Sequence, residues 1–312
     1  VHDRLRWVET PRWLMPCRGA WDRLDLYHGP NFKMHTTGRS GGIVTIHDLW
    51  LARHPEYSRK LLGQAGSSRR AIATANRARR VVTVSDFSAR EIEALYGIPR
   101  ERVVVIHNGV TEEFSPVQDE QGMAVLRARW AIPSAGFILF VGGADPRKNH
   151  RVFLQAVAQS RSQLGGRAIL LVGDAEHPQG SYLATARSLG LEQDVRCTGR
   201  LNREDLCRLY SYAEVFVFPS LYEGFGMPVL EAMACGAPTI TSSTSSLPEV
   251  AGDAALLVNP EDAEALGAAM VKVLSEQALR QQLRDRGFER TRLFTWQRAA
   301  LRTSALYREL CA

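Results

Sequence analysis

Two glutamates eight positions apart, Glu223 and Glu231, enclose two glycines and a proline in the run EGFGMPVLE. An apolar strand-like segment, residues 213–220, precedes the run, and a helix-like segment follows it. A turn from a strand into a helix exposes backbone N–H groups that bind anions such as phosphate. The amides predicted to face the anion are those of Phe225, Gly226 and Met227. The two carboxylates would then accept hydrogen bonds from ligand hydroxyls.

A set of helix caps is the alternative interpretation of this run. Glu231 occupies a position from which a carboxylate can cap the first turn of a helix. Capping gives no role to Glu223, so a ligand site is favoured. Pro228 is predicted at the first helical position, where the missing N–H costs no hydrogen bond.

A second charged run, residues 142–149 (GGADPRKN), follows the predicted strand 137–141. Arg147 and Lys148 stand directly before a predicted helix, which Asn149 is expected to cap. Two cations beside helix amides would neutralise a diphosphate. A helix start with two solvated cations is an equal alternative. The run lacks the Gly-Lys-Ser/Thr signature of a P-loop.

Polar residues and glycines also follow other predicted strands. Gly173 and Gly199 would let a ligand approach the backbone closely, although plain strand-ending turns explain them equally well. His47 follows the strand 42–46, and Asp48 is expected to orient its ring. A structural hydrogen bond is the alternative role for this histidine.

Strands and helices alternate along the whole chain, which predicts an α/β protein with parallel sheets. The predicted strands are 24–28, 42–46, 80–84, 103–106, 137–141, 168–172, 195–198, 215–218, 238–241 and 255–258. The predicted helices are 57–78, 88–96, 122–130, 149–160, 180–189, 203–212, 228–235, 261–274, 276–288 and 296–310. Ser85 or Asp86 is expected to cap the second helix, and Gly97 to end it.

This pattern predicts two Rossmann-like domains. Residues 1–115 form the first, 116–136 a linker, 137–294 the second, and 295–312 a C-terminal helix that crosses back to the first. The second domain has the six strands of a doubly wound sheet, whereas the first has about four. We therefore expect the first domain to be incomplete.

Composition excludes several classes of protein. The 312 residues are 45% hydrophobic, and no run of about 18 apolar residues predicts a membrane-spanning helix. The five cysteines lack metal-ligand spacing and indicate reduced thiols in the cytoplasm. Residues 51–80 carry eight cations against Glu56 alone, within a net charge of +6. This basic segment suggests either a solvated face or an anionic membrane surface. Nucleic acid is disfavoured, because no aromatics alternate with the arginines.

Together the motifs resemble the retaining, nucleotide-sugar-dependent glycosyltransferases of family 4, whose fold, GT-B, has two Rossmann-like domains facing a cleft. The resemblance covers nearly the whole chain and is nearest to the Pro-Arg-Lys-Asn, mannosyltransferase-like subgroup. The segments that carry it are 44–49, 84–88, 105–110, 141–149, 218–220, 223–231, 246–254 and 294–296.

The resemblance implies a role for each motif residue. Glu223 would bind the transferred sugar and Glu231 the ribose hydroxyls, while Arg147 and Lys148 would bind the diphosphate. His47 would lie across the cleft near the sugar. The remaining donor contacts implied are Phe225, Gly226, Met227, Gly142, Gly143 and Gly173, with the base near Gly199, Arg200 and Leu201. Neither a metal nor a cofactor is expected.

The implied activity is retaining transfer of a hexose, best mannose from GDP-mannose, to a glycan or lipid-linked acceptor. Such a chain would serve polysaccharide or lipopolysaccharide biosynthesis in the cytoplasm, peripherally on the inner face of the membrane. The alternative is a nucleotide-sugar-binding GT-B protein without transferase activity. Epimerisation or phosphorolysis would keep the fold, but the lysine Schiff-base motif of the phosphorylases is not seen.

The sequence departs from the family pattern in three ways. Gly143 stands where many relatives carry an arginine, and Pro228 removes an amide that some relatives use. No glycine-rich loop precedes Leu24, where relatives have one that helps to hold the donor and the acceptor.

Overall fold

A computed structural model of the chain describes residues 25–34, 42–54, 65–177 and 180–312. The contacts divide the chain into two compact units. Unit 1 comprises residues 1–109 and 296–312, and unit 2 comprises residues 110–295. The stretch 116–136, predicted as a linker, therefore lies inside unit 2.

Unit 1 is built on a parallel four-stranded sheet in the order β1-β2-β3-β4. Its strands are β1 (Tyr27–Gly29), β2 (Gly42–Ile46), β3 (Arg80–Thr83) and β4 (Val103–Val105). Its helices are α1 (Trp50–Arg53), α2 (Ala65–Arg77), α3 (Asp86–Tyr96) and the C-terminal helix (Trp296–Cys311). The Ser85 side chain accepts a hydrogen bond from the Ser88 amide, and Gly97 ends α3 with φ 65°. The predicted cap at Ser85 and the end at Gly97 are thus confirmed, whereas α3 begins two residues before the predicted start.

Apolar side chains cover both faces of this sheet because successive residues of a strand point to opposite sides. Val44 and Val81 pack in a cluster with Ile92 of α3. Ile43 and Val82, one position along, belong to a second cluster with Leu306 and Leu310 of the C-terminal helix. The last residues of the chain therefore form one of the two layers over the sheet of unit 1.

Polar contacts also hold the C-terminal helix on unit 1. The hydroxyl of Tyr307 is hydrogen-bonded to Nδ1 of His28, and Nε2 of His28 lies 2.8 Å from Oγ1 of Thr45. Burial, and secondarily the nearby His47, lowers the pKa of His28 to about 4. His28 is therefore a neutral hydrogen-bonding group at neutral pH.

Several arginines of the basic segment make contacts within unit 1. Arg53 pairs with Glu91 at 2.6 Å, Arg79 donates to the Leu310 carbonyl, and Arg80 pairs with Glu309 at 3.3 Å. Arg70 and Arg77 are exposed on α2. Glu56, Arg59, Lys60 and the side chain of Arg69 lie outside the described residues.

Unit 2 contains a parallel six-stranded sheet in the order β12-β11-β10-β5-β6-β9. Its strands are β5 (Phe137–Val141), β6 (Ala168–Val172), β9 (Val195–Gly199), β10 (Val215–Phe218), β11 (Thr239–Ser242) and β12 (Ala255–Val258). A separate two-stranded ribbon, which the sequence did not predict, pairs β7 (Glu176–His177) with β8 (Gly180–Ser181).

Helices connect these strands. They are α4 (Glu120–Arg129), α5 (His150–Ser160), α6 (Tyr182–Ser188), α7 (Arg203–Tyr212), α8 (Met227–Ala234), α9 (Leu247–Ala251), α10 (Ala263–Ser275) and α11 (Gln277–Thr291). The predicted helices of the second domain are present, and α9 was not predicted. Helix α4 is fixed to α7 through Arg208, whose Nε lies 2.8 Å from Oδ2 of Asp119. This contact lies within unit 2, to which residues 116–136 belong.

The strand order reverses between β5 and β10. From β5 the chain proceeds outward through β6 and β9, and from β10 it proceeds in the other direction through β11 and β12. In doubly wound sheets, ligands bind outside the carboxyl ends of the strands at such a switch point. The loops after β5 and β10 carry the two charged runs singled out from the sequence.

None of the helices in the described part of the chain is long and apolar enough to cross a membrane. The described cysteines, Cys197, Cys207, Cys235 and Cys311, are free thiols.

Candidate active site

Asn149 joins the loops after β5 and β10. Its backbone is left-handed, with φ 60°, and it stands at the start of α5. Its side chain donates to the carbonyls of Pro219, at 3.0 Å, and of Pro260, at 2.6 Å. Asn149 thus occupies the predicted cap position of α5, but its side chain accepts no capping hydrogen bond from the helix and its amide group donates to other loops instead.

Lys148 and Glu223 form an ion pair across these loops. The Nζ of Lys148 lies 2.6 Å from Oε1 of Glu223, and the two side chains are only 17% and 12% exposed. The ring centroid of Phe218 lies 5.0 Å from the same ammonium group. The Ser220 hydroxyl is 2.7 Å from Oε1 of Glu223 and 2.9 Å from the Arg147 carbonyl. The structure thus brings together a cation and a carboxylate from the two predicted motifs.

Serines of the loop after β11 hold the backbone of the Glu223 turn. The Glu223 amide donates to Oγ of Ser245 at 3.2 Å. The buried Ser246 hydroxyl lies 2.9 Å from the Glu223 carbonyl and 2.6 Å from the Phe225 carbonyl. The Phe225 ring is itself buried and meets the Phe294 ring edge-on at 5.7 Å. The turn is therefore anchored on its protein side.

Helix α8 starts at Met227, preceded by Gly226 with φ 118°. A Cβ on Gly226 would fall 2.7 Å from Cδ2 of Leu247, so glycine is needed at this position. Pro228 is the second helical residue, not the first as predicted. The Val229 N–H is used within the helix, where it donates to the Gly226 carbonyl at 3.0 Å. No residue that the structure describes accepts a hydrogen bond from the N–H of Gly226 or Met227. These amides remain suited to an anion.

Glu231 is the fifth residue of α8 and does not cap the helix. The Tyr210 hydroxyl donates to its Oε2 at 3.3 Å. Burial raises the pKa of Glu231, while the bond from Tyr210 and the charge of Arg203 oppose this rise. The capping interpretation is therefore wrong. No hydrogen bond joins Glu231 to Lys148 or Glu223, all of which the structure describes.

Glycines shape the ends of β5 and β6. Gly173 has φ 128°, and a Cβ there would fall 2.3 Å from the Gly142 carbonyl oxygen. The Gly173 amide donates to the Gly199 carbonyl at 3.0 Å. Close packing between neighbouring turns is thus a structural reason for Gly173. A Cβ added to Gly143 would lie 3.8 Å from its nearest neighbour, the Asp174 carbonyl oxygen. The side of Gly143 on which a side chain would stand is therefore open.

Arg147 and Arg200 each have a carboxylate partner. The Nε of Arg147 lies 3.1 Å from Oδ2 of Asp145, and Oδ1 of Asp145 accepts from the Arg147 amide at 2.9 Å. Arg200 binds Asp174 in a two-pronged pair, with Nε at 3.0 Å and Nη2 at 2.6 Å. The pair is exposed at the end of β9, beside the half-buried Leu201.

His47 lies in unit 1, directly after β2. Its Nε2 donates to the Pro30 carbonyl at 3.0 Å. Asp48 accepts from the amide of Trp50, the first residue of α1, at 3.1 Å. Asp48 therefore binds the start of α1 and not, as was expected, the His47 ring. The Pro30 carbonyl orients the His47 ring instead.

Sequence reasoning missed Ser220, Tyr210, Asp145 and Ser246. Ser220 and Asp145 stand inside motifs that were recognised, so their proximity to charged neighbours was the available signal. Tyr210 belongs to the apolar face of α7, and nothing in that pattern distinguishes a carboxylate partner from a core aromatic residue. Ser246 binds carbonyls more than twenty residues earlier in the sequence, at Glu223.

Both units match known sequence families. Residues 125–290 match the family described as Glycosyl transferases group 1, and residues 3–114 match Glycosyltransferase Family 4. O-antigen chain mannosyltransferase B of Escherichia coli is 33% identical over 310 residues, which span 97% of this chain and 80% of that protein.

Solved structures share the fold. Sucrose-phosphate synthase from Thermosynechococcus elongatus superimposes with a TM-score of 0.75 at 26% identity, covering 97% of this chain and 80% of that one. Anabaena HepE in complex with UDP-glucose gives a TM-score of 0.70 at 21% identity, covering 90% and 79%. The fold and the site together define a glycosyltransferase of the GT-B type. The chain belongs to the group 1 glycosyl transferases, with a family 4 N-terminal region, which confirms the resemblance inferred from the motifs.

The Lys148–Glu223 pair predicts a coupling that can be measured as stability. We expect Lys148→Met and Glu223→Gln each to lower the free energy of unfolding by about 3 kcal/mol, because each leaves one largely buried charge unpaired. The double variant should lose clearly less free energy of unfolding than the sum of the losses in the two single variants. Urea unfolding of the four proteins measures the coupling energy, and strictly additive losses would contradict an energetically coupled pair.

Proposed function

We propose that this glycosyltransferase transfers mannose from GDP-mannose to a glycan or lipid-linked acceptor, with retention of the anomeric configuration and without a metal ion. The observation that carries the proposal is the Lys148–Glu223 pair at the switch point of unit 2. The E. coli relative, named as an O-antigen mannosyltransferase, supports the choice of mannose, and the HepE complex supports a nucleotide-sugar donor.

Charge neutralisation of the leaving diphosphate is the first task of the site. Lys148 and Arg147 supply two cations, and the N–H groups of Gly226 and Met227 supply hydrogen-bond donors for phosphate oxygens. These groups develop their strongest interaction as the sugar–phosphate bond breaks, because negative charge then accumulates on the diphosphate. They would do the work that a divalent cation does in other sites.

Glu223 acts as a hydrogen-bond acceptor in this proposal, not as a nucleophile. Its carboxylate is neutralised by Lys148 and lies 2.7 Å from the Ser220 hydroxyl, which reduces its reactivity. Binding of the donor would let Glu223 accept from a sugar hydroxyl while Lys148 turns to the phosphate. Retention would then follow from attack of the acceptor on the same face that the diphosphate leaves, through an oxocarbenium-like state.

Glu231 would bind the ribose hydroxyls and Gly199–Leu201 the base. Among the residues that the structure describes, only the Tyr210 hydroxyl donates to the Glu231 carboxylate, so acceptor capacity remains for a diol. The resemblance implied a sugar contact for His47, and the Pro30 carbonyl orients the ring of this residue within unit 1.

Turnover should depend on the ion pair and not on a metal. We expect Lys148→Ala and Glu223→Ala each to lower kcat with GDP-mannose at least about a hundredfold, because both remove groups that stabilise developing charge. Excess EDTA should leave wild-type turnover unchanged. A screen of GDP- and UDP-sugars with radiolabelled transfer identifies the donor.

Lys272→Ala and Glu264→Ala, both exposed on α10, are the matched controls for charge loss and should transfer normally. Wild-type rates in the two site variants would refute the proposal. Donor binding by calorimetry without any transfer or donor hydrolysis would instead favour a nucleotide-sugar-binding protein.

Affinity for GDP should fall as the pH is lowered through the raised pKa of Glu231. The ionised carboxylate accepts from the ribose hydroxyls, so binding is complete above this pKa and is lost below it. The loss should occur at a higher pH than for an ordinary glutamate, because burial raises the pKa. Tyr210→Phe removes a hydrogen bond that favours the charged form, so it should move the loss to still higher pH.

Calorimetric titrations with GDP across the acidic range measure both profiles. Glu231→Gln is the control, because it should bind weakly at every pH without this transition. A Tyr210→Phe profile that coincides with the wild type would contradict the assignment.

The acceptor side would bring the chain to the cytoplasmic face of a membrane. Arg70 and Arg77 are exposed on α2, seven residues apart and so on one side of the helix. An anionic lipid surface attracts such charges, and a lipid-linked acceptor resides there. Arg53, Arg79 and Arg80 contribute less, because they already bind groups of unit 1.

Co-sedimentation with phosphatidylglycerol-containing vesicles tests this surface. The double variant Arg70→Glu/Arg77→Glu should bind at least about tenfold more weakly, whereas phosphatidylcholine vesicles should bind neither protein well. Arg129→Glu/Arg187→Glu makes the same charge change on unit 2 and should bind normally. Binding that does not depend on anionic lipid would refute membrane attachment through α2.

A further inference from the structure

Tyr182 is a fully buried tyrosine whose hydroxyl reaches the edge of the candidate site. It is the first residue of α6, and its amide donates to the Ala175 carbonyl at 3.0 Å. Its ring lies edge-on to Phe140, at 6.0 Å, and to His150, at 5.0 Å. The hydroxyl donates to the carbonyl of Gly142. The neighbouring rings and full burial hold the Tyr182 side chain in place.

The carbonyl of Gly142 is thereby fixed between two groups. Tyr182 holds it from one side, and Gly173 approaches it so closely that a Cβ on Gly173 would fall 2.3 Å from the oxygen. The Gly142 amide donates to the Val172 carbonyl at 2.8 Å, which fixes the other side of the residue. The peptide between Gly142 and Gly143 therefore has a single orientation.

A planar trans peptide points its N–H opposite to its C=O. Because the Gly142 carbonyl points to Tyr182, the N–H of Gly143 points away from that buried ring. No residue that the structure describes accepts a hydrogen bond from this N–H. The open side of Gly143, where a Cβ would have no neighbour within 3.4 Å, leaves room for a ligand.

The same peptide lies against the stem of Lys148. A Cβ on Gly142 would fall 3.1 Å from Cγ of Lys148 and 3.4 Å from its Cδ. The amide of Gly143 and the ammonium of Lys148 therefore belong to one loop, next to the Lys148–Glu223 pair. An N–H donor and a cation in one loop are suited to an oxyanion with several oxygens, such as a diphosphate.

We propose that Tyr182 is a positioning residue that aims the N–H of Gly143 at the diphosphate of the bound nucleotide. This inference rests on the proposed function, because it assumes a nucleoside diphosphate donor. Tyr182 touches no ligand itself. Burial raises the pKa of Tyr182, so its hydroxyl stays protonated and keeps donating to the Gly142 carbonyl.

The test compares nucleotides with and without phosphates on the full chain. Tyr182→Phe should weaken GDP binding about three- to tenfold, the effect of one net hydrogen bond, and leave guanosine binding unchanged. Gly143→Pro removes the N–H directly and should give a similar loss for GDP alone. The double variant should bind GDP no more weakly than Gly143→Pro, because both changes remove the same contact. Calorimetry measures all of these affinities.

Tyr212→Phe is the matched control in unit 2. Like the Tyr182 hydroxyl, the Tyr212 hydroxyl is hydrogen-bonded within the protein: it accepts from the Asp119 amide and donates to Glu120, each at 3.0 Å. The Tyr212→Phe variant should bind GDP as tightly as the wild type does. Equal losses of GDP and guanosine in Tyr182→Phe would show a merely structural role and overturn the inference, as would unchanged GDP binding. Failure of the wild type to bind any nucleotide would instead overturn the proposed function.

Discussion

The site depends on one constraint, the junction of the loops after β5 and β10 at the point where the strand order of unit 2 reverses. Asn149 supplies the junction, because its side chain donates to carbonyls of two other loops. Only with these loops held side by side can Lys148 pair with Glu223. Removing a charge pair from water costs free energy, and the pair is stable only if its geometry is well fixed. The neutral hydrogen bonds around Lys148 and Glu223 are therefore needed for the pair to form.

In this site, the groups that hold the loops in position differ from the groups that are left to bind a ligand. Buried hydroxyl groups and rings, those of Ser246, Tyr210 and Phe225, engage the protein side of the turns and of Glu231. The groups left for a ligand are backbone N–H groups and charged side chains at the carboxyl edge of the sheet. The backbone donors of the Glu223 turn are held in place by these protein contacts, and preorganised donors need little reorganisation free energy when charge develops.

The sequence predicted the parallel α/β architecture, most strand boundaries and the two charged loops, because apolar periodicity and glycine turns are local signals. It also predicted Ser85 and Gly97 at the ends of α3. The sequence did not predict the correct hydrogen-bond partner where a side chain could reach several. Asn149 was assigned to its own helix but binds Pro219 and Pro260, 70 and 111 residues away. Asp48 was assigned to His47 but binds α1. Tertiary packing decides between partners that local sequence makes equally available.

The division of the chain has a consequence for the order of folding. Unit 2 is one continuous stretch, residues 110–295, whereas unit 1 needs both residues 1–109 and residues 296–312. During synthesis, unit 2 can complete its core while the sheet of unit 1 still lacks the layer that Leu306 and Leu310 provide over Ile43 and Val82. Unit 1 can therefore complete its core only after unit 2 has been synthesised, and until then one apolar face of its sheet stays uncovered.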